Sequence, residues 1–379
     1  MKTIAGLLIF AGFSVACTSA GTERKTSVPA DVSETNEFNT VAAEFGDSTI
    51  NNIHSSSDTL LLAFVGDIMP GTTYPEKKLP ENDGKDLFRD VRHLLANADV
   101  AAGNMEGVLA DTGTTTKKKG GMNYAFRIPV RYGKLLSDAG LDFMSMANNH
   151  SFDFGLAGVK STEATLARNG IAYAGISGRT ESAIVERNGV KYGFCAFGHN
   201  SYTMKHADTA KVAETIRNLR TRADIVVVSF HGGAEGTAHR HLPQGKEMFL
   251  GEDRGELRNF AHFCIDNGAD IVYGHGPHVV RAMELYKGHF IAYSLGNFCT
   301  PGGINISGIS GYAPVLQLWI NATDGKFMRG KINSFKQKWR GGPRIDSTNA
   351  AAKEIRSLTL SDISGSKIQI NDDGEILRR

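Results

Sequence analysis

Cysteine is scarce in this chain: four residues in 379, at Cys17, Cys195, Cys264 and Cys299, with no Cys-x-x-Cys spacing. A disulfide framework is thereby excluded. One bridge is conceivable in an oxidising compartment, but buried free thiols are the expectation for the three internal cysteines. Past the first residues, no apolar run reaches the ~18 residues that a membrane helix needs, which excludes attachment through a later helix. Charge of one sign is also lacking. Lys and Arg number 42 against 40 Asp and Glu, for a formal net charge of +2. That balance argues against a nucleic-acid partner and against steering by the whole molecule. No repeat of fixed period runs through the sequence, which removes repeat architectures.

What is present begins with an export signature. Lys2 supplies a positive n-region, and Ile4 to Ala16 is an apolar stretch too short to span a bilayer comfortably. It ends in Ser14-Val15-Ala16-Cys17, similar to the bacterial lipobox, whose cysteine becomes an acylated N-terminus; Ser14 stands where Leu is usual. The alternative is an ordinary secretory peptide cut nearby, for instance after Ala20. Residues 1–17 thus read as a signal peptide with a lipobox-like end, and on either reading the mature chain leaves the cytoplasm. The expected location is the cell envelope, as a lipoprotein held to the membrane by lipid at Cys17 or as a secreted or periplasmic protein. Residues 18–57 are rich in Ser, Thr, Asn, Asp and Glu, the composition of a flexible tether.

From Thr59 strands and helices alternate. Apolar runs predict buried strands at Leu60–Val65, Val100–Ala102, Phe143–Met146, Val190–Ala196, Ile225–Phe230, Ile271–Tyr273 and Phe290–Tyr293. Helical periodicity falls around Leu87–Leu95, Tyr132–Ala139, Leu156–Arg168, Ala210–Arg222 and Leu257–Asn267. The alternation predicts an α/β fold with a largely parallel or mixed sheet. One large domain is expected over 58–314. Val315–Ile320 and Lys367–Ile370 then mark 315–379 as sheet-edge strands or a small β-rich C-terminal extension.

Six polar clusters each follow an apolar strand. They are Gly66-Asp67-Ile68-Met69, Gly103-Asn104-Met105-Glu106, Asn148-Asn149-His150 with Asp153, His231 to Glu235, Gly274-His275-Gly276-Pro277-His278, and Ser294 to Phe298. In an α/β protein ligands bind where the carboxyl ends of the strands converge, so these clusters read as one site. Asp67 and Glu106 supply carboxylates for a hard metal or a base. Asn149 and His150 join an amide ligand to a proton donor on the rim, and Asp153 orients His150 or caps the next helix. His231 sits at a strand end beside an open backbone, with Glu235 as its partner. His275 and His278 form a pair on a loop stiffened by Pro277, and Asn297 binds the loops that carry them. Lys117-Lys118-Lys119 reads first as a solvated run, or, with Arg127 and Arg281, as a cationic rim for an acidic polymer.

Taken in order from Leu60 to Phe298, with Tyr124-Ala125-Phe126-Arg127, Ala147 to Gly155, Gly268-Ala269-Asp270 and Tyr293 to Phe298, these residues resemble the CapA family, the bacterial poly-γ-glutamate capsule-synthesis proteins. The resemblance implies a metallophosphatase-like α-β-β-α sandwich with its site at one end. Metallophosphatases end the first strand in Asp-x-His, whereas Met69 stands here in place of that histidine, so one nitrogen of the usual two-metal set is missing. The implied metal ligands are Asp67, Glu106, Asn149, His231, His275 and His278. The ion is a divalent Mn, Zn or Fe, as one ion, two or none.

The leading expectation is a hydrolase-like domain acting on poly-γ-glutamate or a related acidic amide-linked polymer or peptide. His150, His231 and His278 carry the acid–base chemistry, and Arg127, Asn104, Glu235 and Asn297 contact substrate. A metal-free histidine acid–base enzyme is one alternative. The other is a tethered, non-catalytic polymer-binding or export subunit working with membrane capsule-synthesis machinery.

Overall fold

The computed structural model describes residues 58–115, 117 and 124–379. The expected signal peptide, the lipid at Cys17, the tether over 18–57, and Lys118 and Lys119 lie outside the described residues. The strands that build the fold are β1 (Thr59–Ile68), β2 (Val100–Met105), β3 (Phe143–Ser145), β4 (Ala172–Ala174), β5 (Ser182–Arg187), β6 (Val190–Phe197), β7 (Ile225–His231) and β8 (Ile271–His275), followed by β9 (Met283–Tyr286), β10 (His289–Ala292), β11 (Asn297–Cys299), β12 (Val315–Asn321), β13 (Phe327–Asn333), β14 (Ile368–Ile370) and β15 (Glu375–Arg378). The longer helices are α1 (Gly155–Arg168), α2 (Thr209–Arg220), α3 (Leu257–Asp266) and α4 (Ala350–Asp362).

Two sheets stack face to face. The first has nine strands in the order β14-β15-β13-β12-β1-β2-β3-β4, with β11 also paired to β1; the second has six, in the order β9-β10-β8-β7-β6-β5. Strands β1 to β4 are mutually parallel, as are β6, β7, β8 and β10. Their carboxyl ends therefore lie on common edges, which is what gathers residues from distant segments.

Side-chain alternation explains the layering. Along β1, Leu60, Leu62 and Phe64 enter the core between the sheets, while Ala63 and Val65 face outward into a second core with Val159 and Leu166 of α1. Along β7, Ile225 and Val227 face inward, while Val226, Val228 and Phe230 pack against Val212, Ile216, Phe260 and Cys264 of α2 and α3. Strands buried on both faces read as near-continuous apolar runs. Helix α2 starts on Asp208, whose carboxylate accepts the Lys211 amide at 3.1 Å, and it ends with Arg217 and Arg220, so both termini suit the helix dipole. The result is the expected α-β-β-α sandwich.

One detail differs from the sequence reading. The expected helix over Leu87–Leu95 is a run of turns followed by a short helix, Arg92–Ala96. Leu87, Phe88, Val91 and Leu95 still share one buried face, and burial of that face produces the periodicity. Residues 315–379 add strands β12 to β15 to the first sheet, β12 lying antiparallel beside β1 across all of Thr59–Val65. Cys195, Cys264 and Cys299 are buried free thiols.

Candidate functional site

Strand β1 delivers Asp67 through a close backbone approach. A Cβ at Gly66 would lie 1.9 Å from the Gly296 carbonyl oxygen, so only glycine lets β1 meet the segment leading into β11. The Asp67 amide then donates to Gly296 at 2.8 Å. The carboxylate is fully buried. Its Oδ1 accepts from Asn104 Nδ2 at 2.9 Å and faces His275 Nδ1 at 3.2 Å, and its Oδ2 faces His278 Nδ1 at 2.9 Å. Burial pushes this carboxyl up, but the contacts with His275 and His278 outweigh it and hold Asp67 far below the usual carboxylate range. For His278 burial opposes the charge, and Asp67 overcomes it and raises the imidazole to about 9. The Asn297 amide ties this corner together, accepting from His278 Nδ1 at 3.1 Å and donating to the His278 carbonyl at 3.1 Å.

Strands β2 and β3 deliver the second half. Asn104 Nδ2 also contacts Glu106 Oε2, and Asn104 Oδ1 accepts from Asn148 Nδ2 at 2.9 Å. Glu106 is pushed up to about 7, first by burial and then by the Asp67 charge. Its Oε1 stands 3.5 Å from His231 Nε2 and 4.0 Å from His150 Nε2. On the other side of the His150 ring, Nδ1 meets Asp153 Oδ2 at 2.9 Å, and the same oxygen accepts the Phe126 amide at 2.7 Å. Burial keeps His231 neutral, well below the ordinary histidine value.

Asp67, Asn104, Glu106, His150, His231, His275, His278 and Asn297 are therefore joined through this network, with Asn149 beside His150. Three expected positions differ. His150 is buried against Phe126, ring centroids 4.5 Å apart, and does not face the rim. Arg127 turns away to Thr73 Oγ1 at 3.1 Å and the Gly113 carbonyl at 3.0 Å. Arg281 is fully buried in a bidentate pair with Glu247, both contacts 2.8 Å, so it forms no rim. A cation belongs there because it must neutralise Glu247 inside the fold. Glu235 pairs with Arg254 at 2.9 Å; burial alone would raise its carboxyl, and His278 and Arg254 outweigh that and hold it low.

The sequence reading missed three residues. Lys117, read as solvated, pairs with Asp153 and donates to the carbonyls of Asn149 and Tyr124 at 3.0 Å each. His199 stacks beside His231 with ring centroids 5.9 Å apart, and His206 lies 6.5 Å further on. Gly198-His199-Asn200 follows the strand Val190–Phe197 just as the other clusters follow theirs, so the strand-end rule contained the signal for His199.

Among the described residues, no three His, Cys, Asp or Glu side chains already close around a common point as a metal set. Yet Glu106 Oε1, Asn149 Oδ1, both ring nitrogens of His231 and Nε2 of His275 are buried without a hydrogen-bond partner. Unpartnered buried polar atoms are costly and rare, and this many in one place fits an oxygen- and nitrogen-liganded divalent ion. Met69 does not contribute: it is buried in the outer core with Phe126.

The family described as bacterial capsule synthesis protein PGA_cap matches residues 61–301. PGA biosynthesis protein CapA of Bacillus subtilis is 30% identical over 258 residues, covering 64% of this chain and 64% of its own. Capsule biosynthesis protein CapA of Bacillus anthracis is 29% identical over 264 residues, 65% of this chain and 61% of its own. The chain thus spans less than two thirds of the length of these two relatives. Among solved structures, a phosphatase from Mycoplasma pneumoniae aligns with 14% identity and a TM-score of 0.47, covering 73% of this chain and 93% of that one.

Proposed function

Since the chain belongs to the bacterial capsule synthesis protein family, we propose that it is a cell-envelope hydrolase of poly-γ-glutamate or a closely related acidic, amide-linked polymer. The observation that carries this reading is the set of buried polar atoms without a hydrogen-bond partner at Glu106, Asn149, His231 and His275, set directly against the His150–Asp153 pair. Asp67, Glu106, Asn149, His231, His275 and His278 would hold a divalent ion. When bound, such an ion supplies Lewis-acid polarisation of a carbonyl and of water.

The chain's own residues divide the remaining work. Asp153, fixed by the Phe126 amide and by Lys117, holds His150 through Nδ1 and leaves Nε2 directed towards Glu106. Nε2 is thus the atom that carries a proton to a leaving amine. Asn104 holds Asp67 and Glu106 in place, and Asn297 fixes the His278 loop. The export-type N-terminus supports an envelope location, with lipid at Cys17 as anchor and membrane capsule-synthesis machinery as partner.

The test is elemental analysis of the full chain, purified without chelator or polyhistidine tag, together with the chain length of poly-γ-glutamate after incubation. We expect about one or two equivalents of Mn, Zn or Fe, lost in Asp67→Ala, and polymer shortening that His150→Ala abolishes. A folded protein that takes up no ion even when metal is added would overturn the metal-dependent reading. Polymer retained but never shortened would leave a tethered binding or export subunit.

A further inference from the structure

The edge of the sandwich opposite Asp67 carries a second feature, unrelated to the site. There the turn joining β9 to β10, the turn joining β12 to β13, and the ends of β14 and β15 meet. Phe327 N donates to Gly288 O, and Arg379 N to Lys367 O, at 2.9 Å each. Together they line a cleft of about 400 Å3 whose charged side chains are all basic: Lys287, Lys326, Lys367, Arg378 and Arg379. Lys287 pairs with Asp266 at 2.6 Å and Lys326 with Asp324 at 2.7 Å. Lys367, Arg378 and Arg379 form no ion pair with another described residue. One exposed apolar side chain, Met328, stands two residues after Lys326 at the same edge.

In a chain of net charge +2, three uncompensated cations on one cleft are a local concentration that folding does not need. They repel one another until an anion joins them. The chain path indicates which anion. Asp58, the first residue of the described body, lies at this same edge, where its carbonyl accepts from the Ala322 amide at 2.9 Å. The segment bearing the lipobox-like sequence is therefore joined to the domain beside the basic cleft. A cluster of basic side chains at such an edge suits the anionic headgroup layer of a bilayer.

We propose that this cleft is a docking face for anionic phospholipid headgroups, which seats the domain on a membrane with the Asp67 edge turned outward. The orientation leaves the candidate site open to a polymer lying away from the bilayer. Near an anionic surface each Lys or Arg contributes about 1 kcal/mol, so the three unpaired cations are worth roughly a hundred-fold in partitioning.

The experiment compares the full chain carrying Cys17→Ser, which removes acylation, with the same chain carrying Lys367→Gln, Arg378→Gln and Arg379→Gln. Each is sedimented with vesicles of phosphatidylglycerol and phosphatidylcholine, and with phosphatidylcholine alone. We expect binding that needs phosphatidylglycerol, weakens with salt, and falls roughly a hundred-fold in the triple variant. Metal content should not change in that variant, which keeps this test separate from that of the candidate site. Equal binding to both vesicle types, or no loss in the triple variant, would overturn the proposal. So would displacement by millimolar inorganic phosphate at constant ionic strength, which marks a free-anion site, or retention on poly-γ-glutamate alone, which marks a polymer exosite.

Discussion

At the residue scale, two of the candidate metal ligands, Glu106 and His278, favour holding a proton when no ion is bound, whereas Asp67 and His231 do not. Glu106 is pushed up to about 7 and His278 to about 9. Ion uptake must displace those protons, so affinity falls as pH falls. Between pH 9 and 7 only the His278 proton is released, and the dissociation constant should rise roughly tenfold per pH unit. Below 7 Glu106 adds a second proton and the slope approaches roughly a hundred-fold per unit. Calorimetric titration of the chelator-treated chain with Mn2+ or Zn2+, in buffers of different ionisation enthalpy, counts the protons directly. Glu106→Gln should reduce the count to one below pH 7, and a flat affinity from pH 6 to 8 would contradict the assignment. His150 supports a second prediction. Its ring is buried on Phe126 and paired with Asp153, so His150→Ala should cost about 1–3 kcal/mol of stability as well as turnover. Urea unfolding of the variant reports that loss separately from activity.

At the element scale, the loop after β7 is held by one buried pair. Arg281 reaches Glu247 in bidentate fashion and also donates to the carbonyls of His239 and Ala234. Removing only the guanidinium strands a buried carboxylate, so Arg281→Ala should lose about 3–5 kcal/mol. An Arg281→Met, Glu247→Met double variant should recover most of it, because neither charge is then left alone. Denaturant midpoints measure both, and equal losses in the two variants would show that the ion pair itself matters. Local sequence revealed the parallel strands well, since Ile225–Phe230 and Ile271–Tyr273 are buried on both faces and read as unbroken apolar runs. It revealed little of what pairs across long separations. Val315–Ile320 is plainly strand-like, yet nothing within it says that its neighbour is β1, some 250 residues earlier. For the same reason Lys117 was misread: its partner Asp153 reaches it only through the fold. Arg281 gave no sign of burial either, because its partner lies on another loop.

At the scale of the whole molecule, buried neutral histidines set the response to acid. His199, at the end of β6, and His206, packed on Gly255 and Phe260, tie the second sheet to α3 and the loop before it. Burial is the main cause that lowers His199 to about 3 and His206 to about 4. As pH falls through about 6.5 the unfolded chain takes up protons at both rings, while the folded chain does so only near those lower values. The unfolded state then binds more protons, so stability present above 6.5 is lost on the acid side, on the order of a few kcal/mol for the pair by pH 4. Glu106 acts in the opposite sense. Its raised carboxyl is protonated in the folded state between about 4.5 and 7, so its contribution declines as pH rises through that window. The two effects overlap in the wild-type curve, and a difference measurement separates them. With chelator present throughout, the stability gap between wild type and a His199→Gln, His206→Gln variant should narrow from pH 7.5 to pH 4.5, because only the wild type carries the histidine penalty. A gap that stays constant across that range would mean the folded state protonates these rings as readily as the unfolded chain does, and their burial would then not govern acid stability.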